Sequence, residues 1–173
     1  MDYFILQQDQ RSFNTIHLPI LSLLSYTDYK NYNLASLPCM TVIPRRGSKY
    51  EEYPDLLSAI FMVSEELNEL ISLFMYGFEY KLFCFWDEQK NLAYYYYAYD
   101  PPALNCLSER SIIKNGGTVI SRAVLKCDLM QDKDIVRVKD LEMPLILVSL
   151  PVAEAILRRN YKGIRLIETY IEK

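Results

Sequence analysis

Two segments of the chain share one order of hydrophobic and polar positions. Residues 60–81 and 145–167 each begin with an apolar run that ends in a serine, at Ser64 and at Ser149. Each continues with a helical pattern, a glycine and a second apolar run. A serine at a helix start accepts hydrogen bonds from the first turn, and a glycine behind the helix adopts the left-handed backbone that ends it. The pattern therefore predicts two similar strand–helix–strand units.

The spacing of apolar residues defines the buried side of each predicted helix. In the first helix, over residues 65–76, the apolar stripe consists of Leu67, Leu70, Ile71 and Phe74. In the second helix the equivalent stripe consists of Val152, Ala155 and Ile156. The similarity has two explanations that the sequence leaves open, a true internal duplication or a recurrent strand–helix–strand solution.

A hairpin rich in tyrosine is predicted between the two units. The strands Phe78–Trp86 and Leu92–Tyr99 flank a polar loop at 87–91, a spacing that places Trp86 opposite Leu92. One face of this hairpin then holds Glu79, Lys81, Phe83, Phe85, Ala93, Tyr95, Tyr97 and Tyr99. Because this set mixes charges with aromatic rings, we expect it to meet water. The other face then holds Tyr80, Leu82, Cys84, Trp86, Leu92, Tyr94, Tyr96 and Ala98.

The tyrosines of this hairpin have two interpretations. Aromatic cross-strand pairs stabilise a hairpin without any ligand, by about 0.2–1 kcal/mol each. A surface rich in tyrosine is also what protein interfaces select. Both interpretations remain open at this point.

The remaining patterns complete an α+β domain. A strand is predicted at Asp2–Gln7, and the rest of residues 1–50 is irregular except for a short strand at Met40–Ile43. No flexible linker divides the chain, so we expect residues 1–173 to form one domain. The predicted fold is a twisted, mixed or mostly antiparallel sheet with the two strand–helix–strand units and the central Tyr-rich hairpin.

Composition and charge exclude several classes of function. The 173 residues include 15 Tyr and 7 Phe but only 5 Gly and 1 His, which leaves little material for phosphate loops or imidazole chemistry. A net charge of −3 argues against a general nucleic-acid binder. The charge is uneven, because residues 51–80 carry seven acids and no Lys or Arg. This stretch is interpreted as a solvated helix face or as an acidic docking surface.

Cysteine usage and hydropathy predict a cytoplasmic protein without metal or cofactor. The cysteines lie far apart and form no CxxC pair, so we expect reduced thiols and no zinc site; they are Cys39, Cys84, Cys106 and Cys127. No signal peptide and no apolar run long enough to span a membrane is visible.

Catalytic motifs are missing from the sequence. No P-loop, zinc-protease, dinucleotide-binding or nucleophile-elbow motif occurs. His17 is the one histidine, and its apolar neighbours favour a structural role over catalysis. A small enzyme or regulatory domain that uses His17 or a cysteine is the alternative function, and a structural or oligomerising protein is a third.

Residues 50–170 resemble small α+β immunity proteins of bacterial polymorphic-toxin systems. The resemblance consists of Tyr53-Pro54-Asp55, Phe61-Met62-Val63-Ser64-Glu65 before an amphipathic helix, Gly77-Phe78-Glu79, the Tyr-rich strand, Leu147-Val148-Ser149 before a helix, and Gly163-Ile164. Leu150-Pro151 departs from it, since an acid would follow the second serine.

The resemblance implies a non-enzymatic protein that binds a cognate toxin domain in the cytoplasm and blocks it, without catalytic residues, nucleic acid, membrane or cofactor. Two candidate partner-binding surfaces follow from the residues. One is the acidic helix edge, formed by Glu65, Glu66 and Glu69, which would speed association by electrostatic steering. The other is the aromatic hairpin face, represented by Phe83, Tyr95, Tyr97 and Tyr99. The oligomeric state stays open.

Overall fold

The computed structural model describes most of the chain, namely residues 2–9, 11, 15–16, 23–47, 50–114, 119–130, 133–141 and 143–172. His17, the histidine of the alternative function, lies outside the described residues.

The described residues fold into an α+β structure, which confirms the predicted class. The strands are β1 (Tyr3–Gln8), β2 (Met40–Arg45), β3 (Leu56–Leu57), β4 (Met62–Ser64), β5 (Tyr80–Asp87), β6 (Leu92–Tyr99), β7 (Ala103–Leu104), β8 (Ile112–Lys114), β9 (Val119–Arg122), β10 (Val124–Leu125), β11 (Ile135–Val138), β12 (Ile146–Ser149), β13 (Ile164–Glu168) and β14 (Tyr170–Ile171). The helices are α1 (Tyr26–Lys30), α2 (Glu65–Phe74) and α3 (Leu150–Leu157).

Most of the described strands belong to two five-stranded sheets, whereas the sequence predicts one sheet. We call them the central sheet, in the order β2-β5-β6-β4-β3, and the terminal sheet, in the order β13-β1-β12-β11-β7. The first predicted strand–helix–strand unit contributes both of its strands to the central sheet, and the second contributes both to the terminal sheet. The two strands of a unit do not pair with each other. A third strand lies between them, β6 in the central sheet and β1 in the terminal sheet.

The two units are structural repeats. In each, the strand before the helix and the strand behind it are antiparallel to the inserted strand. The inserted strand of the first unit follows that unit directly as the second arm of the hairpin, whereas that of the second unit is the N-terminal strand β1. The second repeat therefore combines strands from the two ends of the chain.

Side-chain hydrogen bonds are also repeated at the two helix starts. Ser64 donates its hydroxyl hydrogen to Asp55 Oδ1, and Ser149 donates to Asp134 Oδ1, both at 2.6 Å. The backbone N–H of each serine donates to the carbonyl of the same aspartate. Ser64 Oγ also accepts from Leu67 N–H, whereas Ser149 Oγ caps no N–H group of α3.

A tyrosine completes each copy of this arrangement. Tyr96 lies opposite Ser64 in the strand register, and Tyr3 lies opposite Ser149. The Tyr96 hydroxyl donates to the carbonyl of Pro54, the residue before the aspartate. The Tyr3 hydroxyl lies within hydrogen-bond distance of two carbonyls, that of Lys133 before the aspartate at 2.9 Å and that of Met130 at 2.8 Å. This match of residues and partners favours an internal duplication over a recurrent motif.

The helix faces of both sheets contribute to one hydrophobic cluster. It contains Leu6, Ile146 and Val148 from the terminal sheet together with Val63 from the central sheet. The predicted helix stripes point into it, with Leu67, Leu70 and Ile71 buried on α2 and Val152 and Ile156 buried on α3. The opposite face of the terminal sheet belongs to a second cluster around Tyr3, Ile5 and Leu147.

Candidate functional site

The Tyr-rich hairpin forms as predicted, but its register is one residue different. Asp87 is the last residue of β5 and lies opposite Leu92, so that Trp86 lies opposite Ala93 rather than Leu92. The reason is the Asp87 carboxylate, whose Oδ1 accepts hydrogen bonds from the backbone N–H groups of Gln89 and Lys90, each at 3.0 Å. These bonds tighten the turn and keep Asp87 in the strand.

The buried side of Asp87 is also bonded. Its Oδ2 accepts from the Tyr53 hydroxyl at 3.1 Å and lies 3.6 Å from Lys90 Nζ. Burial raises the pKa of Asp87, but the Lys90 N–H, the Tyr53 hydroxyl, the Lys90 ammonium and the Gln89 N–H outweigh it and lower the pKa overall. The carboxylate is therefore held ionised although its side chain is fully buried.

The observed register differs from the predicted one in which side chains of β5 and β6 lie on the same face of the hairpin. A shift of one residue moves every side chain of β5 to the opposite side relative to β6. Tyr95, Tyr97 and Tyr99 consequently share a face with Tyr80, Leu82, Cys84 and Trp86. The strand β2 pairs with β5 in parallel and adds Met40, Val42 and Pro44 to the same face.

We call the accessible part of this surface the aromatic face. It consists of Met40, Val42, Pro44, Tyr80, Leu82, Trp86, Ala93, Tyr95 and Tyr97. Val42 is 57% exposed, Tyr80 50%, Tyr95 39% and Trp86 38%. Exposed apolar side chains in contiguous rows of one sheet mark an interaction surface more often than scattered single ones do.

Two of the predicted site residues do not belong to the aromatic face. Phe83 is fully buried on the opposite side of the central sheet, where it lies opposite Tyr96, and its predicted exposure is wrong. Tyr99 lies on the correct side but is only 2% exposed. Its hydroxyl donates to Asn68 Oδ1 at 2.7 Å, so α2 covers it.

Tyr95 and Tyr97 are placed as predicted, and Tyr80 connects them to the covered part of the sheet. The Tyr80 ring makes edge contacts with the rings of Tyr97 and Tyr99, at centroid distances of 5.1 and 5.8 Å. Burial and, after it, the neighbouring Glu65 carboxylate raise the pKa of Tyr97. The phenol of Tyr97 therefore remains neutral near pH 7.

The acidic helix edge is exposed, as expected for a solvated helix side, but its members face two directions. Glu65 borders the aromatic face, where its charge acts on Tyr97. Glu66 and Glu69 instead act on Tyr161, whose hydroxyl donates to the Glu66 carbonyl at 3.3 Å. Only Glu65 is thus brought together with the predicted aromatic residues.

Sequence reasoning missed the contributions of Trp86, Tyr80 and the strand β2 to this surface. The predicted register placed the first two on the face opposite the one that was expected to meet water. The β2 contribution depends on a parallel pairing between segments forty residues apart, which no local pattern reveals. Its one sequence signal is the alternation of Met40, Val42 and Pro44 with Thr41, Ile43 and Arg45, which matches the observed alternation of exposed and half-buried positions.

Two groups that could serve in catalysis, the Cys106 thiol and the Asp9 carboxylate, have shifted pKa values. Burial raises the pKa of the Cys106 thiol to about 11, the opposite of an activated nucleophile. A cleft of about 650 Å³ between β1 and the segment around Leu56 contains Asp9 and Arg11 in its lining. These two form an ion pair that lowers the pKa of Asp9 to about 2, so this carboxylate does not act as an acid near neutral pH.

Comparison with known proteins assigns no family. No protein-family model matches the sequence, and no curated protein matches it either. Within the described residues, no cluster of His, Cys, Asp and Glu could hold a metal ion. No helix in those residues is long and apolar enough to cross a membrane.

Proposed function

We propose that this chain is a non-enzymatic immunity protein that binds and neutralises a cognate bacterial toxin domain in the cytoplasm. The observation that carries the proposal is the aromatic face, a contiguous exposed surface of Tyr, Trp and aliphatic residues on a rigid sheet. Such side chains bury a large area at a low cost in conformational entropy, and Tyr and Trp are enriched among the residues that dominate binding energies.

Charge indicates the kind of surface that the partner presents. The stretch 51–80 carries seven acids and no base, and its Glu65 lies at the border of the aromatic face. A basic surface on the toxin, such as one that holds a nucleic-acid or phosphate substrate, would be complementary to it. Steering by these carboxylates would raise the association rate, and the aromatic contacts would lower the dissociation rate.

Growth rescue tests the proposal directly. Where the gene beside that for this chain encodes a multidomain secreted protein, the C-terminal domain of that protein is the toxin to use. Coexpression of the chain should restore growth of cells that express this domain, and the two proteins should copurify. If the neighbouring domain is toxic and the chain neither rescues growth nor binds it, the proposal is wrong.

Alanine in place of Trp86 should weaken toxin binding by roughly 30-fold or more, the effect of losing a central aromatic anchor. Calorimetric titration of the toxin domain measures this change, with Tyr95→Ala expected to act in the same direction. Leu73→Ala is the matched control, because Leu73 is a 72% exposed apolar residue on α2, outside the aromatic face. Equal affinities for Trp86→Ala and Leu73→Ala would exclude the aromatic face as the binding surface.

Glu65→Lys should slow toxin association more than Glu66→Lys does. Both replacements change the charge equally on the same helix turn, but only Glu65 borders the aromatic face. Stopped-flow association rates at low and high salt measure the difference, which should shrink as salt screens the charges. If both variants associate at the wild-type rate, the acidic edge does not border the bound toxin, and if both are slowed equally, Glu65 lies no closer to the toxin than Glu66 does.

A further inference from the structure

The outer edges of the two five-stranded sheets differ in how they are protected. A sheet edge presents unpaired backbone N–H and C=O groups, and proteins usually shorten such strands or place charges on them. The edge strands β3 and β7 have two residues each, and the edge strand β13 carries the exposed charges of Arg165 and Glu168. The remaining edge strand, β2, has six residues and no charged side chain from Met40 to Pro44, and the protection that it carries, Pro44 and Arg45, is confined to its end.

The hydrogen bonds between β2 and β5 show which backbone groups point outward. Leu82 N–H donates to the Cys39 carbonyl, and Glu88 N–H donates to the Arg45 carbonyl. Because alternate residues of a parallel strand bond to the same neighbour, residues 39, 41, 43 and 45 face β5. Met40, Val42 and Pro44 therefore direct their backbone groups away from the sheet, and none of these groups is bonded within the described residues.

The outward backbone groups of β2 can pair with the same groups of β2 in a second copy of the chain. In an antiparallel pair of β2 strands centred on Val42, the Val42 N–H of each copy faces the Val42 carbonyl of the other. Met40 N–H of each copy faces the carbonyl of Pro44 in the other, so the missing N–H of proline leaves no outward donor unpaired. Proline tolerates this place because it lies at the end of the ladder.

The side chains also allow this pairing. No charged residue lies between Met40 and Pro44, so like charges do not meet along the ladder. Val42 is 57% exposed and Met40 49%, and pairing covers both with apolar neighbours. Any strand offers this spacing of backbone donors and acceptors, but a second copy also brings Pro44 opposite Met40 and Val42 opposite Val42, so that the missing donor falls at the ladder ends and apolar side chains meet.

We propose that β2 pairs antiparallel with β2 of a second copy of this chain, with Val42 on the twofold axis. The axis is perpendicular to the sheet, so the central sheets of the two copies join into one continuous sheet. Their aromatic faces then lie side by side on the same surface. This inference does not rest on the proposed function, and a dimer would form without a toxin.

Light scattering coupled to size exclusion tests the dimer, with paired charge variants at Val42. The wild-type protein should be dimeric at about 300 µM, and Val42→Lys or Val42→Glu alone should raise the dimer dissociation constant at least about tenfold, because like charges meet on the axis. An equimolar mixture of the two variants should restore the dimer, because a lysine then faces a glutamate. This rescue also shows that both variants are folded.

Leu73→Lys is the matched control, since it adds the same charge at an exposed apolar residue away from the edge. It should leave the dimer intact. The proposal is overturned if the wild-type protein is monomeric at about 300 µM. A dimer that Val42→Lys leaves unchanged, or a mixture that stays monomeric, also overturns it, because either result removes Val42 from the axis.

Discussion

Replacing Asp87 with alanine should lower the free energy of unfolding by about 3 kcal/mol, an effect typical of breaking a buried charged pair. The carboxylate is fully buried. It accepts hydrogen bonds from the Tyr53 hydroxyl and from the backbone N–H groups of Gln89 and Lys90 in the hairpin turn. Its removal leaves the Tyr53 hydroxyl and two backbone N–H groups without this acceptor, and it takes the opposing charge from the Lys90 ammonium, which keeps its bond to the Glu51 carbonyl. Lys90 Nζ lies 4.9 Å from the Tyr53 ring centroid, in surroundings where water only partly compensates the charge.

Asp87→Asn separates the charge from the hydrogen bonds of the turn. The amide oxygen still accepts from the backbone N–H groups of Gln89 and Lys90, so we expect a smaller loss of about 1–2 kcal/mol. The matched control is Glu154→Gln, which removes the exposed ion pair with Arg158 on α3 and should cost less than about 0.5 kcal/mol. Urea unfolding measures all three. A loss for Asp87→Ala as small as that for Glu154→Gln would show that the turn does not depend on Asp87.

The same carboxylate should make the protein less stable in acid. Its pKa is lower in the folded protein than in the unfolded chain, so its contribution is complete above the ordinary aspartate pKa of about 4. The contribution is lost as the pH falls from there through the lower folded value. Unfolding of Asp87→Asn should therefore depend less steeply on pH below about 4 than that of the wild type.

Asp87 also explains why the hairpin faces were predicted incorrectly. The sequence Asp-Glu-Gln-Lys-Asn is polar throughout, and polarity alone places all of it in a loop. The carboxylate of Asp87 instead points inward and receives the turn amides, which makes the residue part of the strand. Because side chains alternate along a strand, this single residue decided whether Phe83 or Trp86 lies outside.

The two strand–helix–strand units were predictable because their signals are local. Serine, apolar stripe and glycine lie within one segment of each unit, and both units form close to the predicted bounds. The strand inserted between the arms of each unit was not predictable. Nothing near Tyr3 indicates that it takes the place opposite Ser149 that Tyr96 takes opposite Ser64, since these pairings join distant parts of the chain.

Gly163→Ala should lower the free energy of unfolding by about 3 kcal/mol, and Gly77→Ala by only about 1 kcal/mol. Both glycines lie between the helix and the second strand of a repeat and have a positive φ, +68° at Gly163 and +79° at Gly77, so alanine is strained at each. A Cβ at Gly77 meets no atom within 4 Å, whereas one at Gly163 would lie 2.5 Å from Pro54 Cβ. Urea unfolding of the two variants measures the difference.

The larger loss of stability that we expect for Gly163→Ala arises at the contact between the two repeats. Lys162 N–H donates to Asp55 Oδ2, and Asp55 N–H donates to the Lys162 carbonyl, which holds the backbone of Gly163 against Pro54. Pro54→Gly removes the opposing Cβ, so in a double-mutant cycle the cost of Gly163→Ala should fall to that of Gly77→Ala. If the cost of Gly163→Ala is the same with proline and with glycine at position 54, the close contact does not limit this position. The strained backbone alone would then account for the cost of alanine at both glycines, and the repeats would tolerate a wider junction than their hydrogen bonds indicate.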